Sequence, residues 1–188
     1  MKYNIYPLRK ENSKEYEGKL SMELQYMMQQ LDETRGELLE IFNGLKEEQL
    51  HKRKDSTGWS ISQIGQHLIT VEELYVVAIK RGLKSNEDSY VESKPIEVLL
   101  DRSKKIEAPD MVKPTDECLG NHEIMERLNS SRQKLHELLN SLEDPSVLSR
   151  RHFIHPAFKE LSLLEWVKSL YIHEQRHIKQ IREIIDGC

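Results

Sequence analysis

The sequence predicts an all-α protein, a four-helix bundle with a long crossover between the second and third helices. Two observations carry this prediction. Four segments of about 20 residues place apolar residues at the i, i+3, i+4 and i+7 spacing of a buried helix face. No segment of useful length alternates apolar and polar residues as a half-buried strand would. The 188 residues suit a single domain over 1–188, and four such helices pack most simply as a bundle.

The first two predicted helices have clear boundaries. The first covers Leu20–Phe42 and stops at Gly44, the second residue of a turn-forming Asn-Gly pair. The second begins at Ser60, because Ser60 and Gln63 have the spacing of a capping box, in which each side chain binds the other residue's backbone N–H. Its predicted C-terminal stop is Gly82.

The third and fourth predicted helices are bounded in the same way. The third covers Asn121–Leu142 and is closed by Pro145. The fourth follows a second capping box, Ser162 with Glu165, and runs almost to the chain end.

The link between the second and third helices is unusually long. Residues 83–120 contain three prolines and, in our interpretation, one short helix over Ile96–Lys104. Connections within helix bundles usually take about 2–8 residues. The second and third helices therefore need not be antiparallel neighbours.

Composition and charge exclude several classes of function. With 28 Lys and Arg against 32 Asp and Glu, the formal net charge is -4, so the basic face of a nucleic-acid-binding protein is missing. No apolar run approaches the roughly 18 residues of a membrane span, and the N-terminal stretch lacks the apolar core of a signal peptide. Two cysteines cannot form a disulfide framework. We expect a cytoplasmic protein with a small-molecule substrate and with no nucleic-acid or membrane partner.

Three of the eight histidines stand where a helix bundle needs apolar residues. His67 lies on the apolar stripe of the second helix, and His173 and His177 lie on that of the fourth. The i, i+4 spacing of the latter pair sets their side chains only about 40° apart and one turn displaced, so both imidazoles can bind one metal ion. The other five histidines are assigned to loops or polar faces: His51, His122, His136, His152 and His155.

A metal ion explains why three imidazoles would be buried together. A buried polar ring without a partner costs about 1–3 kcal/mol. Three histidines with an open coordination position are typical of a catalytic zinc or nickel site, whereas a structural site usually has a fourth protein ligand. Such a metal can activate either water or a thiolate.

Residues 173–177 also fit the H-E-x-x-H signature of zinc proteases. A protease is disfavoured, because Gln180 and Glu183 stand where a metzincin needs glycine and histidine, and no gluzincin-type downstream glutamate on another helix is found. Glu174 is a weak catalytic candidate for proton transfer, since its side chain leaves the helix about 100° from His173. Tyr75 and Gln180 are candidates to line a pocket.

Three motifs resemble the DinB superfamily, and more narrowly its YfiT-like branch of metal-dependent hydrolases and thiol transferases. The motifs are GWSISQIGQHL at 58–68, HP at 155–156 followed by LSLLEW at 161–166, and HEQRHIKQI at 173–181. The resemblance places the family's metal ligands at His67, His173 and His177. The segment 1–19 matches no part of the pattern and is treated as an N-terminal arm.

The resemblance implies more than the fold. It implies one divalent ion (nickel, zinc or manganese), a homodimer and, in some members, transfer of a low-molecular-weight thiol such as bacillithiol to an electrophile. The first hypothesis is therefore a metal-dependent thiol S-transferase or hydrolase acting on a small electrophile. The alternative is a non-catalytic metal-binding or sensing module built on the same bundle. The substrate is not encoded in any motif.

Overall fold

The computed structural model describes residues 13–84, 88–103 and 106–187, and it shows the predicted four-helix bundle. The long helices are α1 (Ser13–Gly44), α2 (Ile61–Leu83), α3 (Asn121–Asn140) and α5 (Leu163–Asp186). A one-turn helix, α4 (Val147–Arg150), precedes a hairpin of two strands, β1 (His152–His155) and β2 (Lys159–Ser162). Short 3-10 helices lie in the connections at Glu47–His51, Ile96–Leu100 and Asp110–Val112.

The order of the helices around the bundle explains the long crossover. Helix α2 packs against α3 and α5, and α1 packs against the same two helices. The contact of Gly65 with Ile124 and the ion pair of Glu73 with Lys134 show that α2 and α3 run in the same direction. Two parallel neighbours require a connection that returns along the length of the bundle.

The apolar core consists of two clusters separated along the bundle axis. One cluster includes Leu31 and Leu163, and the other includes Leu38 and Ile64. At their boundary lies one buried charged residue from each long helix: Arg35, Glu72, Arg132 and Glu174. The three candidate metal ligands lie in the same part of the bundle, since His173 directly precedes Glu174 in the sequence.

The first capping box is present, and the second is only half formed. The Ser60 hydroxyl accepts a hydrogen bond from the Gln63 N–H at 3.2 Å, and the Gln63 side chain accepts one from the Ser60 N–H at 3.0 Å. The Ser162 hydroxyl likewise accepts from the Glu165 N–H at 3.2 Å. The Glu165 carboxylate, however, accepts hydrogen bonds from the crossover instead of from the Ser162 N–H.

Helix boundaries differ from the prediction by up to seven residues, and α3 ends at Asn140 instead of Leu142. Helix α1 begins at Ser13 instead of Leu20, so residues 13–19 of the predicted arm are helical, while residues 1–12 lie outside the described part. Gly82 lies within α2, which ends at Leu83. A Cβ atom at Gly82 would lie 2.5 Å from a methyl carbon of Leu163, so glycine here permits the close approach of α2 to α5.

The hairpin was not expected, because the predicted fold had no strands and placed His152 and His155 in a loop. Both residues belong to β1, which pairs antiparallel with β2 so that His152 faces Ser162 and His155 faces Lys159. Strands of four residues are too short to give an alternating pattern. The predicted short helix over Ile96–Lys104 is a 3-10 helix ending at Leu100. Across the described ranges, no helix combines the length and apolar character needed to cross a membrane.

Candidate metal centre

Three imidazoles from two antiparallel helices meet at one point of the bundle. The Nε2 atom of His173 lies 3.3 Å from Nε2 of His67 and 3.1 Å from Nε2 of His177. The ligand atoms of the group all lie within 4.8 Å of one another. His67 and His177 are buried and His173 is half-buried. The structure thus brings together the three residues that helical spacing and the family resemblance single out.

Hydrogen bonds on the outer side fix two of the rings. Nδ1 of His67 donates to the backbone carbonyl of Val112 at 2.7 Å, and Nδ1 of His177 donates to the side-chain oxygen of Gln180 at 2.8 Å. A carbonyl oxygen can only accept, so both rings carry their proton on Nδ1 and direct the lone pair of Nε2 inward. Metal-binding histidines are oriented in this way in proteins.

The three rings are held in their neutral form. Burial lowers the pKa of His67, although its hydrogen bond to Val112 opposes the shift. Burial, together with the neighbouring histidines, holds the pKa of His173 and of His177 well below the ordinary value of 6.5. Only a neutral imidazole can be a metal ligand.

The donor set fits a divalent ion. Zinc–nitrogen bonds of about 2.0–2.1 Å in a tetrahedral site place the nitrogens about 3.3 Å apart, and the two Nε2 separations here are 3.3 and 3.1 Å. Within the described ranges, no fourth His, Cys, Asp or Glu joins the group. Nδ1 of His173 is also buried, and none of the described residues forms a hydrogen bond with it. Three nitrogen ligands and an open position are typical of catalytic sites.

Glu174, the weak catalytic candidate, lies in a different environment. Its carboxylate accepts from Arg35 at 2.7 Å and from Arg132 at 2.9 Å, and 2 % of the residue is exposed. These partners come from α1 and α3, whereas His173 and His177, on the same helix as Glu174, face α2. The proton-transfer role does not fit, because both oxygens are engaged in ion pairs away from the ligands.

Glu174 belongs to a closed ring of four charges that sequence analysis did not identify. Arg35 also binds Glu72 at 2.7 Å, and Arg132 binds Glu72 at 2.5 Å, so each arginine bridges both glutamates. The remaining guanidinium donors bind the backbone carbonyls of Leu128 and Leu31. The ring carries no net charge and ties all four long helices together.

The two predicted pocket-lining residues have identified partners. Gln180 orients His177, as described above. The hydroxyl of Tyr75 lies 2.8 Å from Nε2 of His155 and 3.4 Å from the hydroxyl of Ser169, and burial raises the pKa of Tyr75 to about 12. Nδ1 of His155 accepts from the N–H of Ala157 at 3.1 Å, so Nε2 carries the proton and donates to Tyr75. This interaction anchors the hairpin to α2.

We expect His155 to stay neutral until the pH approaches 4, because burial lowers its pKa to about 4. The unfolded chain would take up this proton near pH 6.5. Stability therefore falls as the pH drops from about 6.5 towards 4, since only the unfolded state binds the proton there. An NMR titration of the His155 ring measures the pKa directly. A value near 6.5 in the folded protein would contradict the burial of this ring.

The other four histidines lie away from the three-histidine group. His136 pairs with Asp32 on α1 at 2.8 Å, and His122 lies 3.4 Å from Glu126 on its own helix. Nδ1 of His152 lies 2.6 Å from the hydroxyl of Ser89. His51 is exposed, with Nδ1 3.5 Å from the Cys118 sulfur.

A sequence model described as the DinB superfamily matches residues 30–181. The chain belongs to the DinB superfamily. The matched region contains all three histidines and all four members of the charged ring. A DinB-type bundle with histidines converging from α2 and α5 is therefore the scaffold on which a function must be built.

Relatives and solved structures agree with this assignment. YuaE of Bacillus subtilis (strain 168), an uncharacterized protein, is 29% identical over 153 residues, which cover 81% of this chain and 93% of YuaE. The fold resembles that of Bacillus subtilis YfiT, described as a probable metal-dependent hydrolase with an unusual four-helix bundle topology (TM-score 0.59, 21% identity, 98% of this chain and 94% of YfiT). It also resembles TT2238, a four-helix bundle protein (TM-score 0.56, 19% identity, 84% of this chain and 97% of TT2238). The predicted resemblance to the DinB superfamily is confirmed, and the resemblance to YfiT is one of fold.

Proposed function

We propose that this chain is a metal-dependent enzyme in which His67, His173 and His177 hold one divalent ion. The observation that carries the proposal is the convergence of three neutral imidazoles, two of which have their Nδ1 protons fixed on the outer side. Nickel, zinc and manganese are the candidate ions. The description of YfiT as a probable metal-dependent hydrolase supports the same reading.

The reaction we propose is attack by water or by a low-molecular-weight thiol, such as bacillithiol, on a small electrophile. A divalent ion with an open position lowers the pKa of such a nucleophile and supplies it at neutral pH. The chain itself orients the ligands through Val112 and Gln180. It also places the ring of Trp59 beside the site, with its centroid 4.8 Å from that of His67. Cys118, the free cysteine in the described part of the chain, is exposed and does not belong to the three-histidine group. A thiol nucleophile is therefore expected to arrive as a substrate, and a cytoplasmic location, where such thiols stay reduced, belongs to the proposal.

The test is a screen of the protein loaded with zinc, nickel or manganese. Bacillithiol and related thiols are offered with epoxides, alkyl halides and antibiotics, and loss of the electrophile is followed with and without thiol. Thiol-dependent loss identifies a transferase, and loss in water alone identifies a hydrolase. His173→Ala, treated identically, is expected to be inactive because it lacks one metal ligand. Equal rates for this variant and the wild type would contradict the proposal.

The alternative is a non-catalytic metal-binding or sensing module. Such a module is expected to close the coordination sphere of its metal with a fourth protein ligand. Among the described residues, no fourth His, Cys, Asp or Glu lies at the site. Tight metal binding without turnover of any electrophile would favour this alternative.

The homodimer implied by the family resemblance is part of the proposal. One chain has a mass of 22.2 kDa. Light scattering of the purified protein is expected to give a mass of about twice that value, and the mass of a single chain would contradict a dimer.

A further inference from the structure

The long crossover runs back along the two helices that carry the histidines. Its first limb, residues 94–102, follows α5 towards the C-terminus of that helix, through contacts of Lys94 with Glu165, Glu97 with Lys168, the carbonyls of Leu99 and Asp101 with Arg176, and Arg102 with Glu183. The second limb, residues 112–119, follows α2 towards its N-terminus, which lies at the same end of the bundle. The crossover therefore lies over the junction of α2 and α5, where the three imidazoles meet.

The second limb supplies a hydrogen-bond acceptor to one residue of the candidate metal centre. The carbonyl of Val112 accepts the Nδ1 proton of His67 at 2.7 Å. This acceptor is a backbone group, so its place depends on the path of residues 112–119 and not on the identity of a side chain. Any displacement of the limb would leave His67 free to turn or to change its tautomer.

Polar side chains of α2 hold this limb beside His67, and Gln66 makes three of their hydrogen bonds. The side-chain oxygen of Gln66 accepts from the N–H of Thr115 at 3.2 Å and from its hydroxyl at 3.1 Å. The Gln66 amide nitrogen donates to the carbonyl of Glu117. Gln63, one turn earlier, donates to the carbonyl of Thr115 at 3.2 Å. Because Gln66 is 9 % exposed, its amide binds the crossover largely out of contact with water.

We propose that Gln66 is a positioning residue for the metal centre: it fixes the crossover so that the Val112 carbonyl orients His67. The proposal rests on the proposed function, since the oriented ring is one of the three ligands assigned above. It gives the long crossover a role beyond joining two parallel helices. It also explains why a buried glutamine, whose amide oxygen and nitrogen both bind the crossover, directly precedes a ligand histidine in the sequence.

The test compares Gln66→Ala with a control in the same limb. Lys113→Gln removes an exposed ion pair with Asp110, next to Val112, and leaves the Gln66 contacts intact. Zinc affinity is measured by competition with a chelator, and folding is checked by circular dichroism and thermal melting. Changes in the groups that orient a ligand typically weaken metal binding about 10–100-fold. We expect a loss of that size for Gln66→Ala and less than about 2-fold for Lys113→Gln.

A second readout does not need the metal. In protein labelled with nitrogen-15 at histidine, the Nδ1 proton of His67 is expected to give a slowly exchanging NMR signal in the wild type and to lose it in Gln66→Ala. If Gln66→Ala does not fold, Thr115→Val takes its place. This variant removes one of the three Gln66 bonds and is expected to show a smaller change in the same direction. A retained signal and unchanged zinc affinity in a folded variant would overturn the inference. Failure of the wild type to bind zinc, with the signal present and lost as described, would overturn only the proposed metal site.

Discussion

Replacing Glu72 with alanine is expected to lower the free energy of unfolding by about 3–5 kcal/mol, the usual cost of removing one partner from a buried ion pair. Glu72 accepts from Arg35, Arg132 and Ser131, and 1 % of the residue is exposed. Its removal leaves two guanidinium groups in the centre of the bundle with one carboxylate between them. Urea denaturation of the two proteins measures the difference.

The next residue in the sequence provides a matched control. Glu73 forms an ion pair with Lys134 at 2.8 Å, but about half of each side chain is exposed. Exposed pairs contribute about 0–1 kcal/mol, so Glu73→Ala is expected to change stability by less than that. Similar losses in the two variants would contradict a special contribution of the buried ring.

The ring also makes stability depend on pH. Burial alone would raise the pKa of Glu72, but the charges of Arg35 and Arg132, with the hydrogen bond from Ser131, hold it below the ordinary value of 4.5. A carboxyl with a lowered pKa stabilises the fold above the pKa of the unfolded state, and this stability is lost as the pH falls through the folded value. The wild type is therefore expected to lose this contribution below about pH 4.5, and Glu72→Gln to lack that dependence.

The second large effect concerns metal-dependent stability. A ligand that binds only the folded state stabilises it by about 2.7 kcal/mol when its concentration is 100 times Kd. Zinc or nickel is expected to raise the melting temperature of the wild type and to leave that of His177→Ala nearly unchanged. Each protein is compared with itself without metal, because His177→Ala also removes a buried ring and its hydrogen bond to Gln180.

His122→Ala is the control for adventitious binding to histidine. The His122 side chain is 83% exposed and lies on α3, away from the three-histidine group. The metal-induced rise in melting temperature is expected to be retained in this variant. An equal rise in His177→Ala and in the wild type would show that the ion binds elsewhere.

The fold and the convergence of the three histidines could be predicted because they leave a periodic signal in the sequence. His67, His173 and His177 replace apolar residues at i, i+3 and i+4 positions, and the helix starts carry capping residues. The same signal was available for the charged ring. Arg35 follows Leu31 by four positions and precedes Leu38 by three, so it stands on the buried stripe of α1.

Other parts of the site leave no such signal. The carbonyl of Val112 orients His67 only because the crossover returns along α2, and a backbone acceptor is independent of the side chain at that position. The role of Glu174 depended on which helices lie on either side of α5, since residues 100° apart on a helix face different neighbours. The hairpin that carries His155 has strands of four residues, too short for a periodic pattern.

Metal analysis of the purified protein tests the three-histidine site most directly. After loading with zinc or nickel and removal of free metal, the wild type is expected to retain about one ion per chain, as a site of three imidazole ligands requires. His173→Ala, prepared in the same way and shown to be folded, is expected to retain essentially none. The same stoichiometry in both proteins would contradict the assignment of the metal centre to His67, His173 and His177.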